Sequence, residues 1–305
     1  MKRNIVYWIF GLAVLTSCNK GGENDYPVDP VPGLGKNERV ETEIELIVSV
    51  DNVFNHGFND NDCIGLFIKN CSEENDTLNS NIKAYYARGE WKMSTGVMAG
   101  KENMEAYAYF PYSSIADIRK VPVEGNTDVS YLYGKSKYFF NASYNRIDVF
   151  MKPALSLLRF NIRKQNMPDE RVLESISIKG KEKDLPVAGV IDLITGKIAN
   201  TSFGEYGKDN IGIVLDNEYD DDSYTSMVVM PMLITTKGGK IEATPVSIIL
   251  SISGRQYSLV LPEEANYWEQ GKISDINIIF NGEEIHVESI SIKEWTLEEI
   301  PLVIQ

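Results

Sequence analysis

The chain has 305 residues, a net charge of −14 and 43 % hydrophobic residues. That length and apolar content allow two ordinary folded cores, and the acidic balance excludes the basic stripe that a nucleic-acid partner demands. Sixteen tyrosines against two histidines suit strands and contact surfaces and leave little material for metal sites or general bases.

Lys2 and Arg3 open the chain with positive charge, and Ile5 to Leu15 is an apolar run too short for a typical spanning helix. Leu15-Thr16-Ser17-Cys18 then resembles the bacterial lipobox, in which small residues admit the peptidase and the cysteine receives lipid. Residues 1–17 are expected to be a lipoprotein signal peptide, cut between Ser17 and Cys18, with lipidation at Cys18. Each buried acyl methylene contributes about 0.8 kcal/mol, so several chains anchor stably where one does not. Residues 18–39 carry Gly21, Gly22, Pro27, Pro30, Pro32, Gly33 and Gly35 in a polar run without apolar periodicity, which predicts a flexible tether. Arg39 ends it at a linker–strand junction, a place open to proteases.

From Val40 the pattern becomes that of strands. Val40, Thr42, Ile44, Leu46, Val48 and Val50 alternate with Glu41, Glu43 and Glu45. Cys63 to Lys69 follows a turn-rich Asn59–Asp62. Ile82 to Arg88 and Glu90 to Met93 form a hairpin about Gly89, Glu105 to Phe110 alternates and stops at Pro111, and Asp128–Gly134 and Arg146–Met151 complete the first half. Phe150 to Lys164 is the hinge of the chain, with Pro153 at a strand start or a hinge and Leu158, Phe160 and Ile162 facing opposite Arg159, Asn161 and Arg163. In the second half, Val172 to Lys179 changes phase near Glu174. Val187 to Leu193 leads into a Thr195-Gly196 turn, and Met227 to Ile234 reads as a strand buried on both faces. Pro245–Ser253 and Gln256–Leu261 form a hairpin about Gly254, and Lys272–Phe280 ends at the turn dipeptide Asn281-Gly282. Short strands, turn signals and no long amphipathic helix predict an all-β chain: one sandwich over residues 40–151 and another over 152–305.

No catalytic constellation emerges. His56 and His286 lack partners at zinc-ligand spacing, and no nucleophile elbow, zinc-protease or phosphate-loop motif is present. Asp216, Glu218, Asp220, Asp221 and Asp222 fail the calcium-loop pattern, since Asp221 holds the glycine position and Met227 the glutamate position. No metal and no cofactor is expected. Tyr85, Tyr86, Tyr107, Tyr109 and Tyr112 are either a sugar-binding platform or core packing. Cys63 and Cys71 would lie about 26 Å apart on one extended strand, beyond disulfide reach unless a turn intervenes.

Several stretches together resemble a known family: the lipobox, the Gly/Pro tether, Asp62-Cys63-Ile64-Gly65-Leu66-Phe67-Ile68, the Trp91 strand, Ala106 to Ser114 (AYAYFPYSS), Tyr131-Leu132-Tyr133-Gly134, Ala154 to Ile162 (ALSLLRFNI), Gly271-Lys272 and Ile292-Lys293-Glu294-Trp295. The layout is similar to the fimbrillin-like lipoproteins of anaerobic Gram-negative bacteria, subunits of type V pili, although Pro153 stands where many members carry histidine. The resemblance implies two tandem transthyretin-like β-sandwich domains and an outer-membrane, cell-surface lipoprotein. It also implies cleavage by an arginine-specific protease, here at Arg39, freeing the first strand, Val40 to Val50, so that its groove accepts a strand from the next subunit. The candidate donor is the tail, with Ile300, Leu302 and Ile304 on one face. The implied partners are other pilus subunits, the outer membrane through lipid, and a host or bacterial surface ligand. A monomeric surface lipoprotein that binds glycan or protein, and a sandwich hydrolase with paired carboxylates, are the alternatives.

Overall fold

The structure, a computed structural model, describes residues 42–296 apart from 51–52, 55–57, 72–76, 128, 182–183, 220–222, 233–234, 238–239 and 243–244. The leader, Cys18, the tether, Arg39, and the tail bearing Ile300, Leu302 and Ile304 lie outside the described residues, as does His56.

The first half contributes β1 (Glu45–Val50), β2 (Cys63–Asn70), β3 (Thr77–Ala87), β4 (Glu90–Met93), β5 (Met104–Phe110), β6 (Val121–Glu124), β7 (Leu132–Ser136) and β8 (Arg146–Pro153). Seven of these, with the short Val53–Phe54 strand at one end, form a continuous sheet in the order Val53–Phe54, β1, β8, β7, β5, β2, β3, β4. Period-two patterning puts Leu46, Val48 and Val50, then Ile147, Val149 and Met151, on its inner face. The β3–β4 hairpin turns on Arg88 and Gly89, both at positive φ (54° and 87°), the two-residue turn whose twist suits antiparallel strands.

The second half runs β9 (Ser156–Lys164), β10 (Val172–Gly180), β11 (Leu185–Ile191), β12 (Ile198–Gly204), β13 (Tyr206–Lys208), β14 (Tyr224–Val229), β15 (Val246–Ile252), β16 (Arg255–Val260), β17 (Lys272–Phe280) and β18 (Ile285–Glu294). A sheet β14-β9-β17-β18 packs on a sheet β13-β10-β15-β16. Leu158, Phe160 and Ile162 point inward with Ile276, Ile278 and Phe280, against Ile176, Ile178, Ile248 and Leu250. The alternate residues build a polar ladder outside. Arg159 forms a bidentate pair with Asp275 (Nη2 to Oδ2, 2.9 Å) and lies 4.9 Å from the Tyr224 ring centre. The Asn161 amide donates to Asn277 at 3.0 Å. The phase change at Glu174 is a register shift between Leu173 and Ser175 of β10 where it pairs with β15, an extra residue that the alternation alone had marked.

A third layer joins the halves. β6 pairs with β11, Val121 opposite Ile191, within a sheet β12-β11-β6. Val121, Val123, Ile191 and Leu193 then cover Phe67, Tyr107 and Tyr109 on the outer face of the first sheet. This layer explains a departure from the sequence expectation. β5 alternates in sequence, yet all seven of its residues are buried: the even positions face the first core, and the odd positions lie under β6 and β11.

Gly134 sits where β7 approaches β8 closely, and a Cβ there would fall 1.8 Å from the Phe150 carbonyl oxygen. Gly134→Ala is expected to lower unfolding free energy by about 1–3 kcal/mol through forced backbone displacement. Gly100→Ala, whose Cβ meets nothing within 4 Å, is expected to stay within about 0.5 kcal/mol of the parent. Urea unfolding of the two variants checks both.

Candidate functional site

The sequence-marked groups separate in space. Cys63 and Cys71 are half-buried thiols at opposite ends of β2, so the extended-strand separation applies and no turn draws them together. His286 is exposed on β18. Asp216 and Glu218 precede the undescribed residues 220–222. Among the described residues no three His, Cys, Asp or Glu side chains gather as metal ligands.

The tyrosine platform is divided by the sheet. Tyr107 and Tyr109 are 2 % and 1 % exposed, whereas Tyr85 is 38 % exposed. The Tyr109 ring covers Gly65 on β2, a large side chain filling the gap over a glycine. Its hydroxyl donates to the Asn81 side-chain carbonyl at 2.6 Å and accepts from the Ser113 N–H at 3.1 Å. Burial pushes the Tyr109 hydroxyl up to about 12, with the Ser113 hydrogen bond pulling the other way. The Tyr107 hydroxyl donates to Glu105 at 2.7 Å. These tyrosines are mortar between layers, and they offer no open ring to a sugar.

The concave feature of the first half lies between the ends of its sheet. The sheet curls until β1 and β4 face each other within 8 Å between Cα atoms, yet they share no ladder. β1 is held on one side by β8, in parallel register from Glu45 opposite Arg146 to Val50 opposite Met151. On its other side, among the described residues, only Ser49 and Val50 are paired, with Phe54 and Val53. Among the described residues β4 pairs with β3 alone. Two backbone edges therefore open onto a groove of about 720 Å³, walled by Glu45–Ile47 and Glu90–Met93, with Tyr85 and Arg146 beside them. At one end it is closed by Thr42–Glu43 paired with Met98–Ala99 and by the Ile44 N–H donating to the Val97 carbonyl at 3.2 Å. Trp91 stacks edge-on against Phe58, ring centres 4.9 Å apart. Its buried indole N–H has no hydrogen-bond partner among the described residues.

The connectivity corrects one expectation. β1 continues covalently into the body from Val50 onward, so a cut after Arg39 cannot remove Val40–Val50. Such a cut would release only the chain upstream of Arg39 and leave β1 in place on β8. Sequence reasoning missed this groove because it is made by β1 and β4, about forty residues apart, and by the curl of the sheet between them.

Layered, largely antiparallel sheets with a groove between two strand edges define the class, an all-β sandwich protein. The chain belongs to the fimbrillin-like family, whose model matches residues 50–295, and with that family it is structural and not enzymatic. No curated protein matches the sequence. Solved structures do. A cell-adhesion candidate from Bacteroides uniformis superposes with a TM-score of 0.59 at 16 % identity, covering 85 % of this chain and 99 % of that one. Another from Bacteroides ovatus gives 0.61 at 15 % identity, with 84 % and 99 % covered. A fimbrial protein from Bacteroides vulgatus gives 0.55 at 12 % identity, with 85 % and 100 % covered. At these identities the likeness is one of fold.

The buried hydroxyl of Tyr109 has a consequence for alkaline stability. An ordinary tyrosine, as in the unfolded chain, ionises near pH 10, and Tyr109 holds its proton to about 12 when folded. Its contribution is fully present below pH 10 and is lost as pH rises through 12. Absorbance titration of phenolate is expected to show a late tyrosine class that appears together with loss of folded signal, and Tyr109→Phe is expected to shrink that class.

Proposed function

We propose that the protein is a subunit of a cell-surface pilus or adhesin that assembles by β-strand exchange after cleavage at Arg39. The observation that carries this reading is the pair of unpaired backbone edges, β1 and β4, facing one groove in the first half. An unpaired edge is a template for another strand, and an inserted strand would satisfy both edges at once by β-augmentation. Admitting it requires the edges to stand about 9–10 Å apart, twice the strand spacing, so the groove would widen as it fills. The unpartnered Trp91 indole N–H favours an occupant that brings a carbonyl, because a buried donor left unmade costs about 1–3 kcal/mol.

The donor in this proposal is the tail of a second copy. Ile300, Leu302 and Ile304 share a face, and each would contribute about 1.5–3 kcal/mol on full burial. A head-to-tail contact of this kind does not close on itself, so it extends a filament. Two sandwich domains, dividing at residues 151 and 152, would keep acceptor groove and donor tail at opposite ends of the sequence. Lipidation at Cys18 and the tether would hold the precursor at the outer membrane until Arg39 is cut.

The test is treatment of the full-length chain with an arginine-specific protease, followed by intact mass and an unboiled denaturing gel. A cut after Arg39 with a heat-sensitive oligomer ladder is expected. Leu302→Asp/Ile304→Asp should be cut equally and give monomer only, and Arg39→Ala should resist at that bond. Cleavage at Arg39 that yields only monomer would overturn assembly by exchange and leave a monomeric surface binder.

A further inference from the structure

The first sheet carries a second concavity, on its outer face and away from the strand edges. β7 and β8 pair antiparallel with Tyr133 opposite Lys152 and Lys135 opposite Phe150. These four side chains, with Lys137 just beyond β7, face the turn 193–196 that follows β11. Together they enclose about 530 Å³, within the range of small-ligand sites. The turn is fixed in place. Asp192 accepts from the N–H groups of Ile194 and Thr195 at 2.9 and 3.2 Å. Gly196, at φ +69°, seats against Tyr133 so closely that a Cβ would lie 3.0 Å from its hydroxyl.

The charge of this recess opposes that of the protein. In a chain of net charge −14, its lining holds three lysines and no carboxylate. Lys135, Lys137 and Lys152 are exposed, and none is ion-paired among the described residues. The nearby acids are engaged elsewhere: Asp148 with Arg146 at 2.7 Å and with the Tyr144 hydroxyl at 2.8 Å, Asp192 with Arg119 at 3.0 Å. Aromatic faces orient the cations. Lys152 Nζ lies 5.3 Å from the Tyr133 ring centre, and Lys137 Nζ 5.4 Å from that of Tyr138. Phe150 is half-buried in the floor, with ring surface available to an apolar ligand face.

We propose that this recess binds an anionic sugar, a pyranose bearing carboxylate or sulfate. The lysines supply point charges to the acidic group, and Phe150 with the Leu193–Ile194 wall receives the C–H face of the ring. An acidic peptide fits less well. β7 lies between β5 and β8, and β8 between β7 and β1, so neither strand presents an open backbone edge for an extended chain. The site stands independently of strand exchange, since it uses the face of the sheet and none of its edges.

The experiment is calorimetric titration of the full-length protein with a heparin-derived hexasaccharide (sulfate source) and with sialyllactose (carboxylate source). Maltohexaose and poly-L-glutamate are the neutral and peptide controls, at low and high salt. Saturable, salt-weakened binding of at least one anionic sugar is expected, with neither control binding. Lys135→Gln/Lys152→Gln should weaken it at least about tenfold, the loss of one to two charge-assisted contacts. Phe150→Ala should weaken the sugar and leave inorganic phosphate, titrated alone, unchanged. Lys197→Gln, outside the recess, should change neither. Absence of binding by both sugars, equal binding by poly-L-glutamate, or affinity untouched by the double lysine variant would each overturn the proposal. Unchanged thermal unfolding of the variants shows that a loss belongs to the site.

Discussion

One covalent constraint organises the molecule: only two residues, at a bend, separate β8 from β9. β8 ends at Pro153, β9 begins at Ser156, and Ala154 and Leu155 between them are 1 % and 0 % exposed. The link cannot serve as a loose linker, because its apolar side chains belong to the layer that joins the halves. The Ala154 N–H donates to the Tyr131 carbonyl at 2.7 Å, and the Leu155 carbonyl accepts from Gly271 at 2.9 Å. Each half therefore receives its interior strand already oriented by the other. The two parallel ladders, β1 on β8 and β17 on β9, are laid on the two arms of this one segment.

The joining layer accounts for how side chains are spent. A sheet with one wet face shows alternation that carries into burial, and β9 does so with Arg159, Asn161 and Arg163 outside. Where β6 and β11 lie over the first sheet, the outer face turns into interior, and tyrosine is the residue that tolerates it. Tyr107 and Tyr109 bring apolar rings to the layer and find partners for their hydroxyls in Glu105, Asn81 and Ser113, which avoids the cost of an unmatched buried group. Beyond the layer's rim the same face is open again, and there it carries Lys135, Phe150 and Lys152.

This division explains what the amino-acid pattern disclosed and what it withheld. Strand period, hairpin turns at Gly89 and Gly254, the irregularity at Glu174 and the all-β class are local properties, written within a few residues of where they act. The apolar run from Met227 is legible for the same reason, although the strand stops at Val229, ahead of Pro231. Burial of Tyr107 and Tyr109 depends on β6 and β11, which arrive from other parts of the chain. The groove and the recess likewise depend on segments that arrive from distant parts of the chain. Lys135 and Lys152 are unremarkable surface lysines until pairing of β7 with β8 sets them over one floor and Gly196 lets the distant turn form a wall.

The two concavities make opposite uses of the same sheet. Backbone recognition needs strands whose hydrogen-bonding groups are unmet, and these occur only at sheet ends, where β1 and β4 supply them. Side-chain recognition needs rigid neighbours on both sides, and interior strands supply those, with β7 and β8 paired along both edges. Arg146 at the start of β8 borders the groove, while Phe150 and Lys152 near its end floor the recess, so one strand separates the two features by its own length. A strand entering the groove would act on the edges without taking groups from the recess. On these two proposals, a ligand-bearing face would stay available on a subunit whose edges are filled.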